Sequence, residues 1–96
     1  MTFDEFLGSI ENEVPPDSLS ATLRALWYEK KGDWDRAHAI VQEVPSTDGY
    51  WVHAYLHRVE GDLWNARYWY SRAGLSESKL ELHAEWNEIV STLISR

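Results

Sequence analysis

The sequence predicts an all-α domain of about six helices, and three features support this fold class. Apolar residues recur at spacings of three and four along most of the chain, which is the period of a helix with one buried face. Glycines, prolines and capping residues separate these stretches at helical lengths. No stretch shows a competing strand pattern. All residues, 1–96, are expected to form a single domain, because a chain of this length supports one hydrophobic core.

The first helix is predicted close to the N-terminus. Thr2 and Glu5 have the spacing of a capping box, and the apolar residues that follow share one helical face. Two consecutive prolines then end this segment, because proline excludes the helical conformation at the residue before it. A second helix, capped by Asp17 or Ser18, is expected to run to about Lys31.

Two turns with the same dipeptide organise the middle of the chain. Gly32 suits the left-handed position that ends a helix, and Asp33 is a favourable N-cap for the next one. Gly61 and Asp62 repeat this arrangement 29 residues later. We therefore expect two helical hairpins in series. These repeat units cover approximately residues 18–45 and 50–74.

The last helix is expected to begin near Ser78, where Glu81 would complete a second capping box. Its apolar residues recur at helical spacing toward the C-terminus. Glu81, Glu85 and Glu88 run along one side of this helix, and Lys79 is the one nearby residue of opposite charge. We therefore expect these carboxylates to form a solvated face.

Composition limits the partners and the chemistry. The chain holds 16 acidic and nine basic residues, and nucleic acid or an anionic membrane would need clustered Lys and Arg, so neither is expected as a partner. It shows no signal-like N-terminus and no run of about 18 apolar residues, which favours a cytoplasmic location. Cysteine is absent, and neither a nucleophile elbow nor a phosphate-binding glycine loop occurs. We expect no enzymatic activity and no cofactor.

The repeated segment resembles the tetratricopeptide pattern, in which a small residue precedes a glycine turn and an alanine and a bulky residue follow it. The matching residues are Ala25, Gly32, Ala37 and Val41 in the first unit, and Ala54, Gly61, Ala66 and Tyr70 in the second. The resemblance covers residues 18–74, although the repeat is 29 residues long rather than about 34. It implies that the first and last helices act as caps over the hairpins. The string WVHAYLHRVEGDLWNARYWYSRAG also resembles a group of small uncharacterised microbial helical proteins, which brings no activity with it.

The tetratricopeptide resemblance implies a concave groove lined by the first helix of each hairpin. Trp51, Tyr55 and Arg58 would lie there beside Lys30, on a surface suited to an extended peptide or a partner helix. Trp64 is a further candidate contact on an exposed face. The leading hypothesis is therefore a non-enzymatic module that binds a protein segment or a second copy of itself. The alternative is that Trp51 and Tyr55 pack as core beneath the terminal helices.

A second hypothesis is a metal-binding or small-ligand-binding protein. His53 and His57 are one helical turn apart and Glu60 follows three residues later, so the three share a narrow face. His38 could add a fourth ligand from across the hairpin, and zinc or another divalent ion accepts imidazole and carboxylate. Hydrogen-bonded core histidines fit the same spacing. A third possibility is a structural homodimer, because the aromatic content exceeds what a two-layer fold of this size needs to bury.

Overall fold

The computed structural model describes all residues from Met1 to Arg96 and contains six α-helices and no β-strand, so the predicted all-α class is confirmed. The helices are α1 (Phe3–Ser9), α2 (Ala21–Lys30), α3 (Trp34–Val41), α4 (Thr47–Val59), α5 (Leu63–Ala73) and α6 (Leu82–Ile94). None of them is long and apolar enough to cross a membrane.

The two Gly-Asp turns join helices as the sequence predicts. Gly32 and Gly61 have φ angles of 91° and 83°, in the left-handed region that a residue with a Cβ atom avoids. The side chains of Asp33 and Asp62 then accept hydrogen bonds from the first turns of α3 and α5. The result is two hairpins, α2–α3 and α4–α5, each closed by a tight turn.

Two helices begin at other residues than predicted, because a different serine provides the cap. Ser20 caps α2, rather than Asp17 or Ser18, and its side chain accepts a hydrogen bond from the backbone N–H of Leu23. Ser46 caps α4, which therefore starts three residues before the predicted Tyr50. In both cases several capping residues are adjacent in the sequence, and the choice among them is made by packing.

The predicted capping box at the start of the last helix is wrong. The side chain of Ser78 accepts a hydrogen bond from the backbone N–H of Leu80 within the preceding loop. Helix α6 starts only after Glu81, which makes no side-chain capping bond. The connection between α5 and α6 is therefore long, and its length allows α6 to pack against both hairpins.

The core lies between the hairpins and the terminal helices. Small side chains are buried where the helices approach one another, which permits interaxial distances of about 8–10 Å. The four alanines matched between the two units are all fully buried: Ala25, Ala37, Ala54 and Ala66. Helix α6 packs on α2 and α4, and α1 packs on α6. Both terminal helices thus lie on the same side of the hairpins.

Trp86 shows how α6 is anchored against the hairpins. Its ring is buried, and its Nε1–H donates a hydrogen bond of 3.3 Å to the carbonyl oxygen of Leu26 in α2. Phe6 of α1 packs on the same ring, with 5.9 Å between the centroids. Helix α6 therefore fills the side of α2 and α4 on which the resemblance implied an open groove.

Candidate functional site

The aromatic residues expected in the groove belong to the core. Trp51 is 8% exposed and Tyr55 is 3% exposed, because α6 lies over them. Arg58 is half-buried at the edge of the same contact. Lys30 remains exposed, with its Nζ 4.8 Å from the ring centroid of Trp86. The alternative interpretation, in which the aromatic stripe packs beneath a terminal helix, therefore describes this side of the molecule.

Glu85 is fully buried, so the prediction that it forms a solvated face with Glu81 and Glu88 is wrong. Three donors surround its carboxylate: Arg58 Nη1 at 2.6 Å, Tyr70 Oη at 2.5 Å and Trp51 Nε1 at 3.2 Å. Burial, together with the hydrogen bond to this carboxylate, raises the pKa of the Tyr70 hydroxyl. The carboxylate joins α4, α5 and α6, and both of its oxygens accept hydrogen bonds. We interpret this network as the link that holds α6 in place.

Three histidines converge on the other side of α4. At about 100° per residue, His53 and His57 lie roughly half a turn around the helix from Trp51 and Tyr55, facing away from α6. His38 projects from α3 toward them, and its Nε2 lies 3.1 Å from Nε2 of His53. One ring nitrogen from each histidine lies within 4.8 Å of the other two. The structure thus brings together the three histidines that the sequence marked as candidates.

Aromatic rings hold two of these imidazoles in place. Trp34 stacks on His38 with the centroids 4.7 Å apart and the planes at 11°. Trp69 stacks on His53 at 3.9 Å and 12°. Both tryptophans come from the helices that flank α4. Neither ring was assigned to the site from the sequence. Trp34 precedes His38 by one helical turn, and this spacing could have indicated a contact between the two rings.

Glu60 contacts the cluster through one histidine. Its Oε1 lies 2.7 Å from Nδ1 of His57, and this contact leaves Nε2 of His57 available for another group. Glu60 is exposed, whereas His57 is 5% exposed. Glu60 is therefore placed to fix the orientation of the His57 ring.

Two of the three imidazoles, those of His38 and His53, are favoured in the uncharged form because their pKa values are lowered. Burial and the neighbouring imidazoles lower the pKa of His53 to about 4. Burial also lowers the pKa of His38, against the opposing effect of Glu60 and Asp35. An uncharged imidazole has a nitrogen lone pair that can accept a hydrogen bond or bind a metal ion.

A second surface lies on α5. Trp64 is 83% exposed and Tyr68, one turn later, is 53% exposed. These two rings, with Arg67 and Ser71, line a shallow depression of about 310 Å³. We call this set of four residues the outer face of α5. Trp64 occupies the position of Asp35 in the first hairpin, so the two hairpins differ here in chemistry while they share their turns.

Two hydrogen bonds order the polar side chains beside this face. Arg67 Nε donates to Glu77 Oε2 at 3.0 Å, and Arg72 Nη1 donates to the Tyr68 hydroxyl at 3.1 Å. The Arg72 guanidinium also lies over the ring of Trp69, 5.5 Å from its centroid. Arg67 and Tyr68 of the outer face thus each have a hydrogen-bond partner within the chain.

Comparison of the chain with protein-family models, with curated proteins and with solved structures finds no match. The histidine cluster and the outer face of α5 are the two groups of residues whose chemistry points to a function.

Proposed function

We propose that this domain is a non-enzymatic protein-interaction module whose partner binds the outer face of α5. The 83% exposure of Trp64 carries the proposal. The other five tryptophans are buried or half-buried, so this fold can hide such side chains and leaves one of them in water. Tryptophan, tyrosine and arginine are the residue types most enriched among side chains that dominate binding energy.

The location of α6 supports the choice of this face. Partner helices and peptides in the family that the repeat resembles bind the concave side, but here α6 lies against α2 and α4 on that side. Trp51 and Tyr55 therefore already pack against other residues of this chain. A second protein has access to the opposite, outward surface, which is where Trp64 and Tyr68 are found.

The chemistry of the face indicates what kind of segment binds there. The depression between Trp64 and Tyr68 accepts an apolar side chain, and the Nη groups of Arg67, whose Nε is bound to Glu77, can donate to a carboxylate of the partner. We therefore expect a protein segment with an apolar anchor beside an acidic residue. The ordered arginines reduce the entropy lost on binding, because their side chains are already held by Glu77 and Tyr68.

Photo-cross-linking in living cells tests this proposal. One variant carries a photoreactive amino acid at position 64. The other carries it at position 35, which is the exposed equivalent of position 64 in the first hairpin. We expect a discrete covalent adduct from position 64 and none from position 35. An adduct of twice the chain mass would identify a second copy as the partner, and any other mass would identify a different protein.

Competition makes the experiment specific. An excess of wild-type protein should suppress the adduct, whereas an excess of Trp64→Asp should not. Asp is the residue that the first hairpin has at this position, and an acidic residue in the first turn of a helix is favourable, so the variant is expected to fold. Identical adducts from both positions, or equal competition by Trp64→Asp, would refute the proposal.

A further inference from the structure

The histidine cluster has features that the interaction proposal does not explain. A hydrogen bond between two neutral imidazoles accounts for the 3.1 Å contact of His38 with His53. It does not account for the convergence of a third imidazole nitrogen, from His57, to within 4.8 Å of both. Nor does it account for the Glu60 carboxylate that contacts Nδ1 of His57.

We propose that His38, His53 and His57 form a binding site for one divalent transition-metal ion of the zinc class. Nitrogen ligands about 2.0–2.1 Å from a tetrahedral zinc ion are about 3.4 Å apart. The His38 and His53 nitrogens, 3.1 Å apart, already have nearly this spacing. All three nitrogens lie within 4.8 Å of one another, so His57 is close enough to supply the third ligand to the same ion.

The surroundings of the three rings resemble the outer shell of a metal site. Metal-binding histidines commonly donate their second N–H to a carboxylate, which fixes the tautomer and the ring orientation. Glu60 Oε1, 2.7 Å from Nδ1 of His57, is positioned for this role and leaves Nε2 as the ligand atom. Stacking by Trp34 and Trp69 limits rotation of the other two rings.

Charge and access also favour a bound cation. Asp35 and Glu60 lie close enough to His38 to act on its charge, and their carboxylates favour a nearby cation. The ligands are imidazoles, which suit zinc, copper, nickel or cobalt better than the oxygen-seeking magnesium and calcium ions. His38 is only half-buried, so the ion enters from its side. Three protein ligands leave one coordination position for water or for a small exogenous ligand.

Calorimetric titration of the untagged full chain with zinc tests the site. We expect one ion per chain, and a melting temperature that rises with free zinc because the ion binds the folded state. His38→Gln should weaken binding at least tenfold. Glu60→Gln should weaken it by about 10–100-fold, the usual effect of losing an outer-shell carboxylate. His83→Gln is the matched control, since His83 is exposed on α6 outside the cluster.

A measurement on the wild type keeps the proposal testable if a variant unfolds. On addition of zinc, the imidazole ¹⁵N resonances of the three cluster histidines should shift together and those of His83 should stay in place. A wild-type stoichiometry well below one would overturn the proposal. So would equal weakening by His83→Gln and His38→Gln, or a shift of the His83 resonances alone, because each would show an adventitious ion only.

Discussion

Replacement of Glu85 by glutamine tests the network that holds α6 against the hairpins. Glutamine has the same shape, but it offers one acceptor oxygen where the carboxylate offers two, and its NH₂ group faces hydrogen-bond donors. Trp51 Nε1 can only donate, and the Arg58 side chain, 15% exposed, loses its counter-charge. Helix α6 should therefore dock less tightly in this variant.

The size of the effect follows from the burial of the pair. Removal of one partner from a buried ion pair costs about 3–5 kcal/mol. Arg58 keeps its hydrogen bond of 2.7 Å to the Leu80 carbonyl and reaches some solvent, so we expect the lower end of this range, about 3 kcal/mol. In a domain of this size that corresponds to a fall of about 12–24 °C in melting temperature.

Urea denaturation at pH 7, followed by circular dichroism, measures this loss. Glu88→Gln is the matched control, because Glu88 is exposed on the same helix and the substitution removes the same charge. It should change the free energy of unfolding by no more than about 0.5 kcal/mol. Equal effects of the two substitutions would refute the burial of Glu85 among Arg58 and Tyr70, and with it the placement of α6.

Three further substitutions have expected effects of known sign. One oxygen of Glu29 is buried without a partner, and burial raises the pKa of this carboxyl, so its ionised form opposes folding. Glu29→Gln should stabilise the protein by roughly 1 kcal/mol in urea denaturation at pH 7. The gain should vanish as pH falls below 4.5, because the wild-type carboxyl is then protonated in both the folded and the unfolded state. No gain at pH 7 would contradict this expectation. A Cβ atom at Gly49 would lie 2.3 Å from the carbonyl oxygen of Val44, so Gly49→Ala should destabilise by about 1–3 kcal/mol. Gly8→Ala meets no neighbour within 4 Å and should stabilise through helix propensity; the same sign for both glycine variants would be inconsistent with the packing described.

Local signals account for what could be predicted of the fold. The positive φ angles of Gly32 and Gly61, and the capping by the aspartates after them, depend on residues within a few positions. The path of α6 depends on a loop of eight residues, 74–81, whose course no local pattern determines. For that reason the sequence left open whether Trp51 lines a groove or lies in the core.

The error at Glu85 has a specific cause. An acidic residue is buried only when distant residues supply donors, and here Arg58 and Tyr70 come from other helices. Glu85 nevertheless lies one turn before Ile89, on the apolar side of α6. This position favours burial, but the charge of the side chain favoured exposure in the prediction. Glu88, by contrast, is exposed as predicted.

The histidine cluster was partly predictable. A spacing of four residues places His53 and His57 on one face of α4 whatever the tertiary structure. His38 lies on α3, in the other hairpin, so its approach to His53 and His57 depends on how the two hairpins pack against each other. The stacking of Trp69 on His53 was not predictable either, because it depends on the rotation of α5 about its axis, which is fixed by packing of the whole second hairpin.

Chemical modification of the tryptophans, quantified residue by residue by mass spectrometry, measures whether α6 covers the groove side of the hairpins and leaves the outer face of α5 open. Under native conditions Trp64 should react first, and Trp51 should stay protected until the protein unfolds cooperatively. Modification of Trp51 at a rate comparable to that of Trp64 would contradict the account, because it would show that the groove is open.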